Sequence, residues 1–467
     1  MNTKQPYGPF ARTAARFLPI AILCFLVLFA WRFADERLHS DSGYYLARVI
    51  NEGGFHIEHG RWVLALSQLG ALIGVKLGVS MTGLILLHSL NNVIWLGTCS
   101  LFAGRVLHDR PAVITLACIH LIGLTHGLFC PIFELYYGVD LLVLFLAVYR
   151  SERLSSAWRW SLLVVFFLGA LSSHFFALLL AGGLLALEQI WRDRRTMIVL
   201  LGLIVVHLLV RSLTLSPYEN EGLSAILAAL NVENVGHLVS PAHLLHLAKY
   251  FVWHYPDLIV LAVTVTVVLV RERQRRRAML FALVGLLLLV LCILYRPGSI
   301  HDRYREQVNF ALVAWVLVMF CMQLIPLVRW RTLAFSLLIA ASLFRMVRAE
   351  WIAPWYTERT AVVKTGITMA RAHGLSKAIV PAPVYFGPPS HVIDLSWSTS
   401  VESLLLSAKD GPQATVSLIT TEDLEAPGVR EHLDGFIFRR WDIMDPSWLN
   451  ARYFKLPPER YRPIGIP

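Results

Sequence analysis

Three stretches of this chain gather residues able to do acid–base or anion chemistry. The first, ADERLHSDSGYYLARVINEGGFHIEHGRW at 34–62, holds Asp35, Glu36, His39, Asp41, Arg48, Glu52, His56, Glu58, His59 and Arg61. A carboxylate in such company can take the proton of an attacking hydroxyl, and Asp41 in HSDSGYY is the candidate base. Its plainer reading is a solvated loop acid or the N-cap of a helix over 42–50. The second stretch, CPIFELYYGVD at 130–140, sets Glu134 among apolar and aromatic neighbours, where a carboxylate is expensive unless paired or functional. Glu134 is therefore either functional or an ion-pair partner for Arg61 or another outer arginine, and Asp140 reads as a helix-capping residue. The third, YRPGSIHDRYREQ at 295–307, holds Arg296, His301, Asp302, Arg303, Tyr304, Arg305 and Glu306. Guanidinium is a planar, permanently charged fork for phosphate oxygens. Arg303, assisted by Arg296 or Arg305, is the candidate phosphate ligand. The alternative is headgroup contact with anionic lipid, or pairing with Asp302 and Glu306.

The elements that must position these stretches are membrane helices. Of 467 residues, 56% are hydrophobic and only 16% charged, and mean hydropathy is +0.59. Apolar runs of crossing length fall at roughly 17–33, 80–104, 111–129, 136–149, 161–171, 175–190, 197–214, 257–270, 278–295, 308–327 and 332–349. The 161–190 stretch is short for two full crossings, but a single one would place RERQRRR (271–277) on the acidic side. Two short helices meeting at SSH (172–174) are expected. The connections alternate in charge. One set carries eighteen Lys and Arg residues, including Arg150, Arg192 and the RERQRRR run, and the other carries most of the acids. Positive loops stay in the cytoplasm. The expectation is eleven crossings with the N-terminus inside and retained, and all three reactive stretches outside. The net charge of +11 then reflects topology, not nucleic acid. The six cysteines all fall in or beside apolar runs, with no disulfide or zinc spacing.

Within the outer loop, YYLARVI (44–50) reads as an interfacial amphipathic helix, and 61–78 as a second one or the lead-in to the next crossing. The 216–256 loop is expected to fold over the cavity mouth, with Tyr250, Phe251, Trp253 and Tyr255 as an interface belt. From residue 350 the chain is less apolar. Helical signals near 358–373, 400–409 and 421–433 alternate with strand-like runs at 378–381, 416–420 and 435–439, which suggests a small α/β domain over 350–467. Residues 1–349 form the transmembrane domain, with outer loops at 34–79, 216–256 and 296–307. HIEH (56–59) with His301 offers ligands for a divalent cation, but no third ligand at fixed spacing names a metal.

An acid just after the first membrane helix, followed by small residues and Tyr-Tyr, resembles the first-loop motif of the GT-C superfamily of integral-membrane glycosyltransferases. That superfamily includes protein mannosyltransferases and lipid A aminoarabinose transferases. The sequence has Asp-Ser where many members carry Asp-Glu. The resemblance implies a GT-C-like helical bundle with an extracytoplasmic C-terminal domain, in a bacterial inner membrane. It implies inverting transfer of a sugar from a polyprenyl-phosphate donor to a periplasmic lipid, glycan or protein acceptor, and some relatives use a divalent cation. It casts Asp41 as base and Glu134 as second acid. Arg303, Arg296, Arg305 and Tyr304 would hold the donor phosphate, and Tyr44, Glu58, His59, Arg61 and His174 would contact substrate. No nucleotide-binding loop (GxGxxG or GxxxxGK) is present. The competing readings are an O-antigen polymerase or ligase, whose key loop lies late in the chain, and a lipid-linked sugar transporter, which usually keeps ionisable groups within its crossings.

Overall fold

A computed structural model describes residues 8–216, 219–221, 224, 236, 240–295, 302–381 and 396–464. Helices run at Pro9–Arg32 (α1), Asp41–Glu52 (α2), Leu64–Leu77 (α3), Met81–Leu101 (α4), Arg110–Ile119 (α5), Glu134–Arg150 (α6), Ser156–Leu171 (α7), Phe175–Leu187 (α8) and Arg194–Leu213 (α9). They continue at Pro241–His254 (α10), Pro256–Arg271 (α11), Arg275–Tyr295 (α12), Asp302–Met319 (α13), Arg331–Ala372 (α14) and Thr399–Ser407 (α15). Several starts are written locally. The side chains of Ser80, Asp109, Asp193 and Ser240 each accept a first-turn backbone N–H, and Pro111, Pro241 and Pro256 sit where a helix lacks N–H partners anyway.

Six of the described helices are long and apolar enough to cross a bilayer, or seven if α10 and α11, bent by 96°, count as one. That is fewer than the eleven runs in the sequence. Helices α5, α6, α7 and α8 have 10, 17, 16 and 13 residues, below the roughly 20 that span a hydrocarbon core. Helix α9 buries only Thr196 and Leu200 and exposes Ile198, Val205, Val206, Leu209 and Leu213. Such an apolar exterior suits lipid, not water. The chain is a helical membrane protein with a small sheet region near its C-terminus.

The basic helix ends are tied together. Arg150 pairs with Glu188 at 2.5 Å, Gln323 donates to Glu188 at 3.2 Å, and Trp330 donates to Glu272 at 2.7 Å. The guanidinium of Arg276 lies 4.6 Å from the Trp191 ring centroid. The candidate site gathers at the other end.

Helix α14 runs through the expected boundary at 349/350. Its 42 residues run unbroken through that point, and at 1.5 Å per residue it is about 63 Å long, twice a bilayer core. Its far end carries the sheet region. Strand β1 (Lys377–Val380) lies between β2 (Ser417–Thr420) and β5 (Arg462–Pro463), parallel to both. Strands β3 (Phe436–Arg439) and β4 (Asp442–Met444) form an antiparallel pair. The chain between β1 and β2 carries α15. Parallel strands need such a crossover, and β1 and β2 are accordingly buried along their whole length. The expected helix at 421–433 is a 3-10 turn at Thr421–Glu425 followed by turns.

The larger correction concerns α2. It is a helix as expected, but not one lying at a lipid interface. Ser42 through Ala47, Val49 and Ile50 are buried. Leu38, Tyr44, Leu46 and Ile50 share one apolar cluster with Leu64, Leu84, Val363, Val401, Leu405 and Phe438. The first loop, α3, the end of α14 and the sheet region thus form a single core. Helix α3 is a separate helix packed on α4, not a lead-in to it. It ends at Gly78 (φ +68), and the Gly70 amide binds Asn91 of α4 at 2.9 Å.

Gly43 permits the packing of α2, because a Cβ there would meet the Leu38 carbonyl oxygen at 2.4 Å. Gly43→Ala is expected to destabilise the protein by about 1–3 kcal/mol, read as a lowered thermal midpoint in detergent. An unchanged midpoint would show that α2 is not packed as described.

Candidate functional site

The site is built on α2 and the turn before it. Ser40 precedes Asp41 with φ 59 and ψ −129. That left-handed conformation is natural for glycine and strained for serine. It is held from outside: the Ser40 amide donates to Glu402 Oε1 at 3.1 Å. Glu402 belongs to α15, and the same oxygen receives the Ser398 hydroxyl at 2.5 Å and Arg359 at 3.0 Å. Arg359 Nε also donates to His39 Nδ1 at 3.0 Å. Burial works against the Glu402 charge, but Arg359 and the His39 contact hold its carboxyl well below the usual carboxylate range.

Asp41 starts α2, half-buried, and within electrostatic reach of Tyr45 and Glu134. The rest of its motif is committed to neighbours. Ser42 Oγ lies 2.9 Å from His88 Nε2, Tyr44 donates to Glu58 at 2.5 Å, and Tyr45 donates to the same carboxylate at 3.1 Å. Glu58 is also approached by His56 at 3.5 Å and Arg439 at 3.6 Å. Burial raises its pKa, yet His56, Tyr44 and Arg439 outweigh that and hold it at about 2. Burial, with the neighbouring Glu58 charge, pushes the Tyr44 phenol upward. Burial and then the Arg61 charge lower His59.

Glu134 and Arg61 are ion-paired. Arg61 extends to Glu219 at 3.8 Å, and Arg211 pairs with Glu219 while donating to the His59 carbonyl. His174 accepts from the Phe176 amide at 3.3 Å and lies in electrostatic reach of Arg61 and Arg211. Asp41, Tyr44, Glu58, His59, Arg61, Glu134 and His174 are thereby neighbours in one polar patch. Asp140 is not a cap. It lies two turns into α6, fully buried, with an oxygen 2.9 Å from His120 Nε2.

The third stretch joins the same end of the bundle. Glu306 accepts the amides of Thr125 and Gly127 at 2.9 and 2.7 Å, in the segment that leads to Glu134. One residue earlier, Arg305 lies 4.7 Å from the Tyr250 ring centroid. Arg305 and Tyr250 line a groove between α10, α12 and α13, with His243, His246, Asn309 and apolar walls including Leu247, Phe251 and Ile293. Tyr250, Phe251 and Tyr255 thus pack against the bundle, and Trp253 alone of the expected belt is largely exposed. Tyr304 is half-buried at the start of α13. Arg296 and His301 lie outside the described residues, as do the side chains of Asp302 and Arg303.

Among the described residues no three His, Cys, Asp or Glu side chains converge on a possible metal site. His56 instead contacts Glu52 at 3.0 Å and His59 contacts Ser216 at 2.8 Å. Sequence reasoning passed over Arg37, Arg359, Glu402 and Arg439. Each looks like a solvated charge locally, and each has a partner far along the chain, although Arg439 also pairs with Asp442 three residues on. Comparison with family models, with curated proteins and with solved structures finds no match to this chain.

A carboxylate held at about 2 stabilises the fold fully above its unfolded value near 4.5, and that contribution is lost as pH falls through 2. The thermal midpoint of Glu58→Gln should therefore lie below wild type above about pH 5 and approach it on acidification. A pH-independent gap would refute the Glu58 assignment.

Proposed function

We propose that this protein is a glycosyltransferase that moves a sugar from a polyprenyl-phosphate donor to an acceptor hydroxyl outside the cytoplasm. The observation that carries the reading is the pairing of two features at one end of the bundle. One is a half-buried acid, Asp41, on a rigid helix amid Glu134, Arg61 and Glu58. The other is a largely apolar groove whose lining includes a guanidinium, two histidines and an amide. The first suits proton removal from a hydroxyl. The second suits a phosphate on a hydrocarbon chain.

In this reading Asp41 takes the proton of the acceptor hydroxyl. The acceptor oxygen bonds to the anomeric carbon as the bond from that carbon to the phosphate oxygen breaks, inverting the centre. Arg305 neutralises the departing polyprenyl phosphate, with Arg303 and Arg296 as its sequence neighbours. The Glu134–Arg61 pair and Tyr44 orient the acceptor. The alternation of arginine-rich and acidic connections in the sequence supports a location of this end in the periplasm of a bacterial inner membrane, with the arginine-rich end inside. Short helices are tolerable where they line protein, not lipid.

A second reading, a lipid-linked sugar transporter, is favoured by the buried Asp140–His120 pair. Ionisable groups within membrane helices often mark a transport path.

Asp41→Asn should lower transfer by roughly 10²- to 10⁴-fold, the weight of a general base, with unchanged yield of folded protein. Envelope glycans of cells carrying each form, compared by mass spectrometry, read the outcome. Arg305→Ala should raise donor KM roughly 10- to 100-fold, the loss of a charge-assisted contact. An active Asp41→Asn protein would remove the enzyme reading. Sugar movement across the membrane without covalent change, lost in Asp140→Asn, would support the transporter.

A further inference from the structure

The turn that presents Asp41 is not stable by its own chemistry. Ser40 is fully buried at φ 59, ψ −129, where a side chain crowds the backbone. No local residue supplies the amide's partner. That partner is Glu402 Oε1, 3.1 Å away and 362 residues along the chain. Glu402 is 4% exposed and is fixed in turn by Ser398 at 2.5 Å and by Arg359, itself 1% exposed, at 3.0 Å. Ser400 next door donates to the Phe438 carbonyl at 3.1 Å, so α15 is pinned to β3.

We infer that Glu402 is a positioning residue for the candidate base: the C-terminal region holds the Ser40 turn in its strained form and so sets where the Asp41 carboxylate points. This rests on the reading of Asp41 as base. It gives the C-terminal region a part in the reaction centre besides any part in choosing the acceptor. Glu402 does not touch substrate. It acts through one backbone amide, and a relaxed turn would rotate the start of α2 and displace Asp41. A shift near one ångström is enough to cost about 100-fold in rate.

The test uses glycine at position 40, because glycine adopts this conformation without being held. Glu402→Gln should lower kcat about 10- to 100-fold with little change in donor KM. The double variant Ser40→Gly with Glu402→Gln should recover most of that loss. If Glu402 serves only to neutralise buried Arg359, glycine at 40 restores nothing, and that result overturns the inference. Should Glu402→Gln fail to yield folded protein, Ser398→Ala loosens the same carboxylate while keeping its charge. It should show the same loss and the same rescue by Ser40→Gly, and full activity of Ser398→Ala would count against the inference. Asp41→Asn is run beside them. If it is active, the reading of Asp41 as base has failed. If it is inactive while Glu402→Gln keeps full kcat, only the positioning role has failed.

Discussion

The structure depends on a buried ion pair between Arg359 of α14 and Glu402 of α15. Two charges out of water are tolerated only when their remaining hydrogen-bonding positions are filled. Here one carboxylate oxygen collects a guanidinium, a hydroxyl and a backbone amide. The pair is therefore weak evidence for net stability. It fixes the rotation of α15 against α14 and, through Ser40, the entry into α2. Asp35 adds a second tie at the same level, bound at 2.8 Å by Lys364 of α14 and at 2.9 Å by Lys409 beyond α15.

Around that pair the first loop and the C-terminal region have merged. Tyr44 packs on Phe438 with ring centroids 5.0 Å apart, Arg439 lies 4.1 Å from the Tyr44 centroid, and Arg48 binds Asp442 at 2.6 Å. Asn450 completes the contact by donating its backbone amide to Asn51 Oδ1 at 2.7 Å and its side-chain amide to the Ile50 carbonyl at 2.9 Å. A helix with one apolar face would ordinarily lay that face on lipid. Here α2 has found protein on nearly every side, which makes it a rigid platform for Asp41 in place of a mobile interfacial element.

What the sequence disclosed follows from where information is local. The apolar runs marked the helices, and the runs at 378–381, 416–420 and 435–439 fall within a residue or two of β1, β2 and β3. Helix α2 was legible from YYLARVI, but not its burial, because Val401 and Phe438 cover it from 350 or more residues away. The Arg61–Glu134 pair was foreseeable as one of two alternatives, since both residues sit at helix edges among apolar neighbours. Glu402 in SVESLLLS and Arg359 in TERTAV carry no such mark, as each reads as the wet face of a helix. Asp140 deceived for the opposite reason: an acid near a helix start usually caps it, but α6 begins six residues earlier and places Asp140 against His120. The Ser40 strain is a property of the folded chain, since nothing in His-Ser-Asp forbids an ordinary turn.

Helix α14 carries these relations from one part of the site to the other. Arg345 pairs with Asp257 at 2.6 Å, donates to Thr125 at 2.9 Å and reaches the His254 carbonyl at the α10–α11 bend at 2.8 Å. Tyr356, three turns on, stacks on Phe129 at 3.8 Å, and Arg359 follows at the next turn on the same side. Those contacts touch, in order, the helix lining the apolar groove, the segment leading to Glu134 and the turn before Asp41. Helix α14 carries Pro354 between Arg345 and Tyr356, which removes one interior hydrogen bond there. The position of α10 over the groove and the aim of Asp41 nevertheless share one helix as their reference. A ligand that shifts α10 acts on Asp41 only by moving α14 or by breaking Arg345 from Asp257. The second route leaves charges unpaired in the bundle, at a penalty of several kcal/mol, so the coupled motion is the cheaper of the two.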